Sequence, residues 1–266
     1  MTKAILHIGA GKCGSSALQT ALSMHPDPGD GFSHYASICS DGSLLSGSAL
    51  KESAAHNPYG YSSSINTKEL VSLSAGKTKA LSKQLENTAR SQGRIILSNE
   101  GWINDASLFR ESDILRRLGI ECDVVCYVRP QVEWINSAWW QWGAWTAAPL
   151  ARWVRNSLRS VDWHEKISKW SDVRGINKIS VRLLPEDIVS DFCGLLGVAA
   201  LPASQNNTSL PGSILRLFQE HSCLRPDAHS SAIDFILSRY IAVEDDPTPW
   251  VLGPNIIEKI ISETRV

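Results

Sequence analysis

Neither sign of charge is in excess: 26 Lys and Arg stand against 27 Asp and Glu, a formal net charge of −1. A dedicated nucleic-acid binder carries a basic surplus to neutralise phosphates, so no nucleic-acid partner is expected. Long apolar runs are missing too. No stretch approaches the ~18 residues that span a bilayer, so no transmembrane segment is expected. Met1-Thr2-Lys3 passes directly into the strand-like Ala4-Ile5-Leu6-His7-Ile8, without the apolar core and small-residue cleavage site of a secretory leader. The expectation is a cytoplasmic protein. The six cysteines, at 13, 39, 122, 126, 193 and 223, are scattered. Cys122 and Cys126 share a strand face but lie about 13 Å apart, too far for one disulfide or one metal. They read as reduced core thiols. The sequons at Asn206 and Asn207 carry little weight in such a protein. No internal repeat and no metal-ligand set is present.

What the 266 residues do contain is an ordinary core-forming composition, 43% hydrophobic and 20% charged. Short apolar runs alternate with helical spacings. Strands are predicted at 4–8, 94–98, 123–128 and 178–184. Helices are predicted at 16–22, 68–92, 111–118, from Pro130 to about Thr146, and at 161–173. Further helices follow at 186–196, 212–222, 229–242 and 254–264. Asp123-Val124-Val125-Cys126-Tyr127-Val128 is the near-continuous pattern of a strand buried on both faces. Alternating strands and helices imply right-handed crossovers and a parallel sheet. The predicted fold is α/β: a three-layer sandwich around a central parallel sheet, with a helical C-terminal region, as a single domain over 1–266. Residues 26–66 are rich in Ser, Gly and Pro and weak in periodicity, and read as a mobile or substrate-facing segment.

The sharpest feature is Gly9-Ala10-Gly11-Lys12-Cys13-Gly14-Ser15-Ser16, between the first strand and the first helix. That junction lies at the carboxyl edge of a parallel sheet, where ligands bind. Glycines let successive N–H groups converge on one anion, and the helix N-terminus adds partial positive charge. Lys12 adds a full charge; Ser15 and Ser16 add hydroxyls. The loop is P-loop-like, but a Walker A pattern would need glycine where Leu6 stands and a hydroxyl where Cys13 stands. The bland alternative is a glycine-rich turn with an exposed lysine.

Lys12-Cys13-Gly14-Ser15-Ser16 resembles the 5′-phosphosulfate loop, Lys-(Ser/Thr)-Gly-(Ser/Thr)-(Ser/Thr), of the sulfotransferases that use 3′-phosphoadenosine 5′-phosphosulfate (PAPS). Arg129, at a strand end, and Ser137, eight residues later, are similar to that family's 3′-phosphate motif. Likeness continues through Trp170, Val181-Arg182, Asp191-Phe192 and Leu196-Gly197. The chain looks closer to the bacterial and carbohydrate-type members than to the aryl and steroid type, whose adenine-stacking aromatic is replaced here by Ala17. No late Arg-Lys-Gly segment is present.

The resemblance implies PAPS as co-substrate, bound through Gly11, Lys12, Cys13, Gly14, Ser15, Ser16, Arg129 and Ser137, with no metal. It also implies an acceptor hydroxyl on a carbohydrate or glycoconjugate. Lys12 would stabilise the leaving phosphate. Glu100, in Ile96-Leu97-Ser98-Asn99-Glu100-Gly101, follows a strand and so reaches the same edge; it is the expected general base, as a glutamate is in the carbohydrate type. Alternatively, Glu100 pairs with a basic neighbour or caps the turn. His34 and His56 are the alternative bases. His7 reads as a satisfied strand-end histidine, and Ser98 as a weak nucleotide contact.

Eight of the ten tryptophans fall between Trp134 and Trp170. Val132, Ile135, Trp139 and Trp142 form a core stripe, and Trp134, Ser137, Gln141 and Trp145 a nucleotide-side one. Trp140 or Trp145 is a candidate acceptor contact. Arg152, Arg155 and Arg159 form a basic face, solvated or meeting an anionic acceptor. Two other functions remain open: an ATP-dependent P-loop kinase, against which the missing Walker spacing and metal acid count, and a catalytically silent nucleotide-binding protein.

Overall fold

The computed structural model describes residues 1–202, 210–228, 231–240 and 246–264. In chain order the elements begin β1 (Thr2–His7), α1 (Ser15–Met24), β2 (Ser33–Ile38), β3 (Leu44–Ser46), α2 (Gly47–His56), α3 (Thr67–Val71) and α4 (Ala75–Gln92). Next come β4 (Arg94–Ser98), α5 (Ala106–Ser112), α6 (Ile114–Arg117), β5 (Ile120–Val128), α7 (Gln131–Gln141), α8 (Leu150–Ser157) and α9 (Trp163–Ser168). The last are β6 (Ile176–Leu183), α10 (Ile188–Leu196), α11 (Gly212–Glu220), α12 (Ala232–Tyr240) and α13 (Pro254–Thr264). The sequence pattern predicts one domain. The contacts group the chain into two compact units, Met1–Val128 with Glu165–Ser204, and Arg129–His164 with Gln205–Val266. Asn206 and Asn207 lie outside the described residues, as does part of the helix predicted at 229–242.

The first unit is an α/β layer structure. Its six strands, among the described residues, run in the order β3-β2-β4-β1-β5-β6. All neighbours are parallel except β3, which pairs antiparallel with β2. The central strands are apolar because both faces are covered: Ala4, Ile5 and Leu6 of β1 and Val124, Val125, Cys126 and Tyr127 of β5 are buried. Helix α1 packs on α2 and α10, while α4 packs on β1, β4 and α6. The chain leaves β1 towards β2 on one side and leaves β5 towards β6 on the other. That reversal of winding direction makes the carboxyl ends of β1 and β5 the switch point of the sheet, the place where open α/β sheets bind ligands.

Residues 26–66 are not structureless: they hold β2, β3 and α2. The helix predicted at 68–92 is two helices, because the Ser74 side chain accepts from the Lys77 N–H and starts α4 afresh. The helix at 111–118 is likewise divided, at Asp113 with its φ of 51°. Helix α10 matches its prediction and shows why: the Asp187 carboxylate accepts from the N–H groups of Val189 and Ser190, and Gly197 closes the helix with a φ of 77°.

In the second unit, α7 ends at Gln141 and a 3₁₀ turn, Gly143–Trp145, follows. Trp134, Ile135, Asn136 and Ala138 form its buried side. Trp134 therefore belongs to the core of this unit, beside Trp142 and Trp163. Val132, Trp139 and Trp142 are only half-buried. No helix among the described residues is long and apolar enough to cross a membrane.

Candidate active site

The end of β1 is stitched on both sides. Ile8 N–H donates to the Val125 carbonyl at 3.1 Å, and Asn99 N–H donates to the His7 carbonyl at 3.1 Å. The loop then tightens, with Cys13 N–H donating to the Ala10 carbonyl at 3.1 Å. Lys12 holds a φ of 65°, a left-handed conformation costing a side-chain-bearing residue ~1–2 kcal/mol. Gly14 follows at 82°, and a Cβ there would stand 2.9 Å from both Ile188 Cδ1 and Leu184 Cδ1. Conformation and space both require glycine. No side chain caps α1 and no acidic residue stands in its first turn.

The Cys13 and Ser15 side chains are buried. Ser15 Oγ donates to the Ala10 carbonyl at 3.3 Å. The Cys13 N–H is committed to that turn and its side chain to the interior, while Gly11, Lys12, Gly14 and Ser16 are half-exposed. Beneath the loop, His7 Nδ1 and Ser98 Oγ are hydrogen-bonded at 2.7 Å, and Gln19 Nε2 donates to the same Ser98 oxygen at 2.9 Å. Ser98 is thus committed to the interior and is not placed to touch a nucleotide. His7 is only half satisfied: its Nε2, like Gln19 Oε1, is buried with no hydrogen-bond partner. Burial pulls the His7 pKa down to about 4.

Glu100 stands two residues beyond the carboxyl end of β4, the strand beside β1. Asn99 fixes the turn that carries it, donating from Nδ2 to the Ser64 carbonyl at 2.6 Å and accepting from Gly101 N–H at 2.7 Å. Burial raises the Glu100 pKa above the ordinary carboxylate value, and the opposing influence is the positive charge of Lys12. The structure therefore brings Lys12 and Glu100 to one place, a cation and a proton-affine carboxylate at the carboxyl edge of the sheet.

A further residue joins them. Tyr61 is buried near Glu100; burial first, and then the Glu100 charge, pushes its pKa up to about 12, against the lowering influence of the Ser16 hydroxyl. No motif pointed to it. The available signal was the triplet Tyr59-Gly60-Tyr61, two aromatics inside an otherwise polar stretch.

The alternative bases fall elsewhere. His34 is the second residue of β2, opposite Ile95, and so lies towards the amino end of the sheet. His56 is exposed at the end of α2, its Nδ1 2.9 Å from the Glu52 carbonyl oxygen.

Arg129 and Ser137 belong to the second unit. Arg129 Nε donates to Glu133 at 3.3 Å, and its carbonyl accepts from Trp163 Nε1 at 2.9 Å. Ser137 is half-exposed on α7. Trp140 Nε1 donates to the Pro249 carbonyl at 2.7 Å, and Trp145 Nε1 to the Trp140 carbonyl at 2.9 Å. Trp145 also packs edge-on to Phe218 and beneath the buried Arg225 guanidinium. Both indoles have structural work within the unit. Arg152, Arg155 and Arg159 are exposed. Among the described residues no group of three or more His, Cys, Asp or Glu could hold a metal ion.

No protein-family model matches the chain, and no curated protein matches it. Among solved structures, the chain is similar to a sulfotransferase from Alicyclobacillus acidocaldarius, at 15% sequence identity and a TM-score of 0.44, over 86% of this chain and 94% of that one. At that level of similarity no residue role passes from that protein to this one.

Proposed function

We propose that the chain is a sulfotransferase that moves the sulfuryl group of PAPS to an acceptor hydroxyl of a carbohydrate or glycoconjugate. The observation that carries this reading is the pairing of Lys12, in a strained glycine loop at the head of α1, with a proton-affine Glu100 at the end of the adjacent strand. The loop fits the 5′-phosphosulfate in chemistry: backbone N–H groups, an uncapped helix N-terminus, one ammonium and the Ser16 hydroxyl. Arg129 and Ser137 are assigned the 3′-phosphate on their motif spacing alone.

In the transfer, the acceptor oxygen bonds to sulfur as the bond from sulfur to the bridging phosphate oxygen breaks. Glu100 takes the acceptor's proton, and Lys12 offsets the charge growing on the departing 3′-phosphoadenosine 5′-phosphate. Positioning and charge stabilisation dominate such a loose, in-line displacement. Turnover of labelled PAPS across an acceptor panel tests the reading. Lys12→Ala should lower turnover by at least ~10²-fold, the scale for losing one electrostatic stabiliser. Full activity in a folded Lys12→Ala protein would remove Lys12 from the chemistry.

A further inference from the structure

The two edges of the sheet are built differently. β3 is three residues long, so it leaves little backbone open beyond it. β6 is eight residues long, and among the described residues no strand pairs with its outer side. Open edges template association, and proteins blunt them with bulges, lysines, prolines or short strands. In β6 such devices stand only at the ends. Its register with β5 slips between Cys122, opposite Ile176, and Asp123, opposite Lys178, which leaves Asn177 as an extra residue. Lys178 follows, exposed, and Pro185 lies just past the other end.

Ile179–Leu183, between them, carries none. Leu184 N–H donates to the Val128 carbonyl at 2.7 Å. By the two-residue alternation of a strand, Arg182 and Ser180 also turn their backbone groups towards β5, while Ile179, Val181 and Leu183 turn theirs outward. The side chains of those three share one face, and they are apolar where water reaches them: Val181 is 48% and Leu183 64% exposed. On the opposite face Arg182 is neutralised within its own chain, donating to the Asp191 carboxylate of α10 at 2.5 and 2.6 Å.

We propose that Ile179–Leu183 is a self-association edge: a second copy of this chain adds its β6 antiparallel, across a twofold axis at Val181. The strand is complementary to itself in that register. Val181 meets Val181 of the second copy, Ile179 meets Leu183, and Ser180 meets Arg182. The outward-facing pairs exchange both backbone hydrogen bonds, and the apolar strip continues across the axis. No like charges oppose each other. With the axis moved to Ser180, Lys178 would stand directly opposite Arg182, a destabilising pair. Pro185 occupies the next outward position without an N–H, so the ladder stops after Leu183. Such a contact is isologous, and a ladder this short makes a weak dimer at the low end of interface sizes. The inference is independent of the nucleotide reading.

Sedimentation velocity of the full chain over a micromolar concentration series should show a monomer–dimer equilibrium. Val181→Glu and Val181→Lys each set like charges face to face on the axis and should weaken the dimer at least ~10-fold. Mixed in equal amounts, the two variants place opposite charges there and should recover the dimer. Both should keep the far-UV spectrum of the parent, because the Val181 side chain is exposed. A second measurement does not rely on charge. In a Cys223→Ser background, which removes the exposed thiol, oxidation should cross-link Val181→Cys into a dimer. Hydrogen-bonded pairs hold their Cα atoms about 5.5 Å apart, within disulfide reach. Ser180→Cys, off the axis and on the other face, should not cross-link. A parent chain that stays monomeric throughout the series would overturn the proposal. So would a dimer indifferent to the Val181 substitutions, or charged variants that fail to complement each other.

Discussion

Glu100 shows how one side chain can be read from stability as well as from rate. Burial raises its pKa, so the folded chain holds that proton more tightly than the unfolded chain does. The resulting stabilisation is complete below the unfolded carboxylate value and is lost as pH rises through the folded one. Above the folded value the buried carboxylate is a cost to the fold. Glu100→Gln keeps the shape and cannot accept a proton. Turnover should fall ~10²–10⁴-fold, the contribution of a positioned base. Over the same substitution the melting temperature at neutral pH should rise, and the gain should shrink on acidification. Nucleotide affinity should stay nearly unchanged. The acidic limb of kcat/KM should lie above the ordinary carboxylate range, and in Lys12→Ala it should move higher still, because Lys12 is the charge that opposes burial. A Glu100→Gln protein that retains turnover would end the assignment. A drop in melting temperature would mean that the carboxylate supports the fold instead.

At the scale of elements, His7 of β1, Ser98 of β4 and Gln19 of α1 form one buried polar knot beneath the glycine loop. The folded His7 pKa, about 4, lies below the unfolded value of about 6.5. Neutral His7 is therefore favoured in the fold, and protonation favours unfolding. Stability should be intact above about pH 6.5 and should fall as pH drops towards 4. At 1.36 kcal/mol per pKa unit the loss is roughly 3 kcal/mol. Chemical denaturation at stepped pH measures it, and His7→Gln should flatten that slope. A parent slope matching His7→Gln would remove His7 as its source. Which elements could be read beforehand follows from similar particulars. β1, β4 and β5 carry unbroken apolar runs because helices cover both faces, and α10 carries its caps in sequence as Asp187 and Gly197. β2 hid because it buries Ser33 and Ser37, polar residues whose hydrogen bonds come from outside the strand pattern. α2 hid because it buries little more than Leu50 and Ala54. That Lys12, Gly14 and Glu100 stand at the carboxyl edge could be read because each lies in the loop that follows a strand, whereas the place of Tyr61 is set by non-local hydrogen bonds at the adjacent Ser62.

At the scale of the whole molecule, the proposed donor can be tested through stability, because a ligand that binds only the native state stabilises it by mass action. At a free concentration 100 times its Kd, 3′-phosphoadenosine 5′-phosphate should contribute about 2.7 kcal/mol. For a chain of this length that corresponds to a rise of roughly 5–10 °C in melting temperature. AMP and ATP at the same concentration should produce much smaller rises, since neither carries the 3′-phosphate assigned to Arg129 and Ser137. Arg129 is already engaged by Glu133 at 3.3 Å, its side chain 30% and that of Glu133 50% exposed. An incoming phosphate would compete with a weak, solvent-screened carboxylate contact, so loss of that pair alone should change stability by under ~1 kcal/mol. Arg129→Ala should therefore leave the ligand-free melting temperature nearly unchanged. It should also cut the shift given by the bisphosphate to about that given by AMP. Equal shifts with bisphosphate and AMP in the parent chain would reject 3′-phosphate recognition. A larger shift with ATP and Mg²⁺ than with the bisphosphate would move the loop from sulfuryl to phosphoryl donors.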